Sequence, residues 1–187
     1  MLASLGESEA DVEPLEDEQA VRAHTASFFT TPAREERRAP EPQEQLATFK
    51  LDREEYGLDV RLVETIIRAG EVTPVPRAPA FVEGVINLRG RVVPVIDLKK
   101  KLGLGAVERS RRARVVVVRV RERLIGLLVD AASQVLKVPV SKIEPAPEVV
   151  SRDVDYIRGV AKMESGLIIL VDLEKALAAE LGETEAR

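Results

Sequence analysis

Few side chains in this chain could do chemistry, and their spacing joins none of them into a catalytic set. The only histidine, His24, lies in an acid-rich stretch outside any recognisable motif, so it reads as a solvated bystander rather than a base, ligand or phosphoacceptor. Cysteine is absent, which removes disulfides, thiolate metal sites and a thiol nucleophile. No Gly-rich phosphate loop, GxSxG elbow or HExxH helix occurs, so neither an enzyme nor a cofactor is expected. Asp97 ends "VVPVID" as the phosphorylated aspartate of a receiver domain ends a strand. That site also needs acids at an earlier strand end in an alternating β/α chain, and the order of elements does not supply them. The run "ERSRRAR", with Arg109, Arg111, Arg112 and Arg114, could meet nucleic-acid phosphates. Aromatic residues make up only 3% of the chain and none is interleaved with the run, so a stacking platform is missing. A solvated loop between two halves of the fold is the preferred reading, with a small nucleic-acid-binding β-barrel as the alternative. There remains "GVINLRGRVVPVIDL", residues 84 to 98, where Asn87 and Arg89 interrupt an apolar run fit for a core. An arginine there suits recognition: its planar fork matches a carboxylate or backbone carbonyls.

The elements that must carry these residues are mostly short apolar runs between turn signals. "LATFKL" and "YGLDV" flank "DREE" as a hairpin. "RLVETIIRAG" is predicted to be a helix, with Leu62, Val63, Ile66 and Ile67 on one face and Gly70 at its end. "RVVPVID" is a strand whose Pro94 belongs at an edge or a bulge, since it cannot donate to a ladder. "ARVVVVRV" and "RLIGLLVD" form a further hairpin across Arg121, Glu122 and Arg123. Val115 and Val117 point opposite to Val116, Val118 and Val120, so this strand is apolar on both faces. The fold class is mainly β with a few short helices.

A repeat organises the whole. "FVEGVINLRGRVVPVIDLKKKL", from Phe81 to Leu102, aligns without a gap over "YIRGVAKMESGLIILVDLEKAL", from Tyr156 to Leu177. Gly84 falls on Gly159, and Asp97 on Asp172. Two similar small barrels packed on each other are expected, each too small to be comfortable alone. Features shared by both copies belong to the fold: Asp97 and Asp172 read as helix N-caps, with Gly103 and Gly182 closing the segments they open. Asn87, Arg89 and Gly90 occur only in the first copy, opposite Lys162, Glu164 and Ser165, so Arg89 is a candidate for function. Gly84 marks a bulge or a close approach of another backbone.

Composition sets the frame. The chain has 187 residues, 45% of them hydrophobic, enough for one domain with a substantial core. Residues 1–45 carry eleven acids against four arginines and no sustained apolar period, so they are expected to form a disordered acidic tail ahead of a domain spanning 46–182, with 183–187 as a short C-terminal tail. The N-terminus is acidic where a signal peptide would be basic and apolar, and no run is long enough to span a bilayer, which predicts a cytoplasmic chain without direct membrane insertion.

The segments "EEYGLDVRLVETI", "PVPRAPAFVEGVINLRGRVVPVIDLKKKLGL", "LIGLLVDAASQVL", "IEPAP" and "YIRGV…LIILVDLEKAL" together resemble the chemotaxis coupling proteins, the CheW family, in order from about Leu46 to Leu181. The resemblance implies two interlocked five-stranded SH3-like barrels and a non-catalytic adaptor in two-component signal transduction. Such an adaptor joins the cytoplasmic tips of chemoreceptors to the regulatory domain of a CheA-type histidine kinase, at membrane-associated receptor arrays. By position, it implies a receptor-facing groove containing Val63, Gly84, Asn87, Arg89 and Val116, a kinase contact at Thr65 and Val92, and a second-barrel kinase contact at Val149. Many members carry Glu where this chain has Thr65. Here the acid is Glu64, which on the predicted helix would be turned by about 100° away from a pairing with Arg89.

Overall fold

The computed structural model describes residues 41–146 and 155–178. Along the chain lie β1 (Gln43–Leu51), β2 (Glu54–Asp59), β3 (Val63–Arg68), β4 (Val82–Leu88), β5 (Arg91–Asp97) and the short helix α1 (Leu98–Lys101). There follow β6 (Arg114–Val120), β7 (Arg123–Val129), β8 (Ala131–Pro139), β9 (Ile143–Pro145), β10 (Ile157–Met163), β11 (Gly166–Val171) and α2 (Leu173–Ala176). The mainly β class and the few short helices are as the sequence indicated. The strand β1 begins at Gln43, with Gln43, Glu44 and Gln45 paired to Pro139, Val138 and Lys137. The folded region therefore starts ahead of the boundary set at residue 46. Residues 1–40 of the expected N-terminal tail lie outside the described residues, as do Gly182 and the expected C-terminal tail.

The strands form two sheets, ordered β3-β6-β7-β5-β4 and β8-β1-β2-β11-β10-β9. One bent segment closes each sheet into a barrel. After β3 the chain crosses to Thr73, which exchanges two backbone hydrogen bonds with Val85 of β4. After β8 a single 3-10 turn leads into β9, which pairs with β10. The second sheet thus has six strands where five were expected, and the three-residue β9 corresponds to the Thr73 bridge of the first barrel. Barrel one uses a contiguous stretch of chain, whereas barrel two joins β1 and β2 to β8 through β11, so the two are interlocked.

Three apolar clusters fill this arrangement. Val93, Val95, Val115, Val117 and Leu128 occupy barrel one, while Leu46, Val138, Ala161, Ile168 and Leu170 occupy barrel two. Between them lies the largest cluster, including Phe49, Leu58, Val116, Val118, Ile125, Leu127 and Leu177. The two apolar faces of β6 are now explained: Val115 and Val117 enter the barrel, and Val116, Val118 and Val120 enter the inter-barrel core.

The helix expected over "RLVETIIRAG" is instead one 3-10 turn, Val60–Leu62, followed by the strand β3. Four of its six residues are β-branched, which stiffens them against a helix and favours a pleated surface. A bulge between Val63 and Thr65 places Val63 opposite Val118 and Ile66 opposite Val116. Two apolar residues three apart therefore share one face of a strand, as they would on a helix. Glu64 consequently turns to the neighbouring strand, where Arg119 Nη2 donates to its carboxylate at 2.9 Å. Pro94 also departs from expectation, since β5 is an interior strand. Val85 directs both backbone hydrogen bonds to Thr73, and β7 pairs with β5 only from Val95 onward, so no ladder bond is asked of Pro94.

The repeat is carried by the backbone. Asp97 N–H donates to the Phe81 carbonyl and Asp172 N–H to the Tyr156 carbonyl, both at 2.8 Å. The Asp97 carboxylate caps α1 by accepting from Lys100 N–H, and Asp172 caps α2 by accepting from Lys175 N–H. A Cβ added at Gly84 would stand 2.1 Å from the Thr73 carbonyl oxygen, and one at Gly159 would stand 2.4 Å from that of Glu144. Glycine is needed at both places because the crossing backbone occupies the side-chain position.

Candidate partner-binding surface

Strand directions gather Val63, Asn87, Arg89 and Val92 at one end of barrel one. Because β5 and β7 run parallel, their first residues, Arg91 and Arg123, lie at the same end. The β4–β5 and β6–β7 turns are therefore there too, along with Val63, opposite Val118 near the end of β6.

Leu88 pairs with Arg91, so Arg89 and Gly90 alone form the turn, with φ of 52° and 82°. Two positive φ values in a two-residue hairpin loop make a type I′ turn, whose right-handed twist matches the strands. Asn87 Oδ1 accepts from Gly90 N–H at 2.9 Å, so its side chain is committed to the turn. Arg89 occupies a left-handed conformation that Asn, Asp or Gly would adopt at lower cost. Its side chain is exposed, and among the described residues its guanidinium has no hydrogen bond or ion pair. The matching residues Glu164 and Ser165 have no positive φ. Arg89 is thus held in a disfavoured backbone state that the second copy does without.

The other candidates separate by burial. Val92, opposite Asn87, is 72% exposed, a large value for valine inside a paired strand. Val63 is half-buried against the inter-barrel core, and Thr65, also half-buried, lies opposite Val117 on the side that turns into barrel one. Val116 is only 1% exposed, and in this structure its side chain serves packing. Its cross-strand partner Ile66, 42% exposed, is the accessible residue on that face. Sequence reading missed Ile66 as a surface residue because it put the side chain on the buried face of a helix. Gly84 is buried beneath the Thr73 carbonyl and acts through its lack of a side chain. Val149 lies outside the described residues. Leu167, the repeat counterpart of Val92, is 60% exposed and was not singled out beforehand.

The arginine run lies within barrel one, between α1 and β6, rather than between the two halves. Arg109 donates to Glu83 at 3.0 Å, and Arg114 Nη1 donates to the carbonyls of Arg111 and Ala113, both at 2.9 Å. Arg109 and Arg114 are therefore engaged within the fold, which weakens the case for a phosphate-binding loop. Glu83 also accepts from Lys100, and these two cations hold its carboxyl below the usual carboxylate range, the Lys100 hydrogen bond being the main cause. Asp97 adds a further tie by accepting from Val107 N–H at 2.9 Å. Among the described residues, no group of three or more His, Cys, Asp or Glu side chains is placed to hold a metal ion, and no helix is long and apolar enough to cross a membrane.

Comparison with known proteins bears on this geometry. Residues 45–181 match the family described as the CheW-like domain. The chain is 38% identical over 137 residues to a chemotaxis protein CheW of Rhizobium meliloti, covering 73% of this chain and 88% of that one. It is 37% identical over 138 residues to a chemotaxis protein CheW of Klebsiella aerogenes, covering 73% and 83% respectively. The crystal structure of the scaffolding protein TtCheW from Thermoanaerobacter tengcongensis superposes with a TM-score of 0.69 at 34% identity, covering 78% of this chain and 97% of that one. With a family match spanning most of the chain, relatives above thirty per cent identity and the same interlocked barrels, this chain belongs to the CheW-like family.

Proposed function

We propose that this protein is a non-catalytic chemotaxis adaptor that couples chemoreceptors to a CheA-type histidine kinase. Arg89 carries the reading. A fold selecting only for stability would place Asn or Gly at a left-handed turn position, whereas this chain keeps there an exposed arginine without a partner among the described residues. Asp52, Arg77, Arg121 and Glu122 also have positive φ, so it is the strain together with the absence of an arginine from the second copy of this turn that points to a task outside the fold. That task is to engage a carboxylate or carbonyls at the cytoplasmic tip of a chemoreceptor, with Val63 and Ile66 supplying apolar contact beside it. Val92 supplies the apolar contact for the kinase regulatory domain, with Thr65 assigned to the same contact and Val149 to a second kinase contact. The work is done in the cytoplasm at receptor arrays. Relatives named as chemotaxis proteins and a structural neighbour named as a scaffold support this reading.

The test is reconstitution with the chemotaxis-type kinases and receptors of the same genome. Kinase activity that responds to receptors only when this protein is present is the expected result. Absence of kinase binding, together with oligonucleotide binding that weakens steeply with salt, would overturn it.

A further inference from the structure

The two barrels are tied together at opposite ends by ion pairs, each with its cation on barrel one and its carboxylate on barrel two. Lys99 of α1, in barrel one, donates to Asp52 Oδ1 in the β1–β2 turn of barrel two at 2.5 Å. Its Nζ also lies 3.5 Å from Asp130 Oδ2, where the chain crosses from β7 to β8. Asp52 N–H donates to Asp130 Oδ2 at 2.7 Å, and Asp130 N–H donates to the Lys50 carbonyl at 3.2 Å. The Lys99 side chain is 6% exposed, with Asp52 at 59% and Asp130 at 21%, and the hydrogen bond it donates to Asp52 holds its ammonium above the ordinary lysine range.

In the second copy the residue matching Lys99 is Glu174 of α2, which pairs at 3.3 Å with Arg121, the residue opening the β6–β7 turn. Its partners are 57% and 44% exposed. Solvent and salt weaken such a pair, whereas loss of Asp52 and Asp130 would leave the buried Lys99 ammonium uncompensated, even though Asp52 itself is 59% exposed. The Arg121–Glu174 pair stands at the same end as Arg89, Val92 and Val63, and Lys99 with its two carboxylates at the far end.

We propose that Lys99 is a positioning residue whose buried ammonium, clamped on Asp52 and Asp130, fixes the two barrels at the end remote from the contact residues. Relative movement of the barrels then pivots at Lys99 and opens at the Arg121–Glu174 end, beside the surface proposed for receptor and kinase. The clamp rests on geometry alone; its consequence for signalling rests on the proposed function.

The chain has no cysteine, so spin labels can be placed by two substitutions, Glu122→Cys in barrel one and Lys142→Cys in barrel two, both at exposed sites away from the clamp. In the full-length protein, Lys99→Met should broaden the label distance distribution, Lys99→Arg should restore most of its sharpness, and Glu174→Gln should leave it close to the parent. Receptor-dependent kinase activation should fall about tenfold in Lys99→Met, a coupling loss of ordinary allosteric size, with affinity for the isolated kinase domain unchanged. Should Lys99→Met fail to fold, Asp130→Asn weakens one arm of the clamp and should broaden the distribution by less. A distribution as narrow in Lys99→Met and Asp130→Asn as in the parent, or equal broadening in Glu174→Gln, would overturn the proposal. Broadening in a parent background that never couples receptors to kinase would sink the proposed function while leaving the clamp's structural role established.

Discussion

Replacing Arg89 by asparagine separates what the turn wants from what a partner wants. Arg89 has φ of 52° in a type I′ turn, and the left-handed region costs an ordinary residue about 1 to 2 kcal/mol. Asparagine recovers about half of that, because its short polar side chain tolerates the conformation. No hydrogen bond or ion pair of the Arg89 side chain within the described residues is lost in exchange. Arg89→Asn should therefore stabilise the fold by about 0.5 to 1 kcal/mol, raising the melting temperature by about 2 to 4 °C for a domain of this size. Arg89→Glu keeps the backbone cost and reverses the charge, so it should melt close to the parent. Both variants should bind the kinase regulatory domain normally and fail to place it under receptor control. The measurements are calorimetric melting, a two-component binding assay and receptor-dependent kinase activity on the same preparations. A clear fall in melting temperature for Arg89→Asn, or normal coupling in either variant, would refute the reasoning and return Arg89 to a structural role.

Val92→Asp should weaken kinase-domain binding by several kcal/mol, on the order expected when an unpaired charge enters an apolar interface, while melting as the parent does because Val92 is 72% exposed; unchanged affinity in a binding titration would remove it from the interface. Gly84→Ala should destabilise by about 2 kcal/mol or more in a denaturant titration, since its Cβ would meet the Thr73 carbonyl at 2.1 Å and its φ is 144°. Glu83→Gln should remove about 1 to 2 kcal/mol of stability at neutral pH. The Glu83 carboxyl is lowered by Lys100 and Arg109, so its contribution is complete above its ordinary pKa of 4.5 and fades as pH falls through the lower folded value, and the variant's stability should converge on the parent's in acid. Deleting residues 1–40 should leave melting and kinase binding intact, whereas deleting residues 1–45 removes the first three residues of β1 and should lower the melting temperature.

The repeat was legible in the sequence because it rests on side chains and glycines that both copies need: Gly84 and Gly159 beneath a crossing carbonyl, Asp97 and Asp172 at their caps. Legible too were the hairpins, whose turns lie between strongly apolar runs. The strand β3 was not. A bulge at Glu64 shifts the alternation by one residue, so Val63 and Ile66 fall on one face at a spacing that a 3.6-residue period also produces. That error also hid Ile66 as surface and misdirected Glu64, whose partner Arg119 is distant in sequence. The Lys99 clamp was unreadable for a similar reason, since its three members come from different segments that only the tertiary fold brings together. For Arg89, comparison of the two copies indicated function, but the strained turn that sharpens the argument is a property of φ alone.

The interlocked path of the chain has a consequence for its synthesis. Barrel one is complete once β7 has left the ribosome, while β1 and β2 must wait for β8 through β11 before their own barrel can close. Ala47 cannot meet Val135, nor Tyr56 meet Ile169, until nearly the whole chain is available. Pairings between such distant segments form slowly, because the closure entropy must be overcome before any contact offsets it. During that interval Phe49, Leu51 and Leu58 have one apolar surface on which to rest, the outer face of β6 and β7, which they cover in the finished protein. The first barrel to close thus offers a surface on which the hairpin can rest until the last strands arrive.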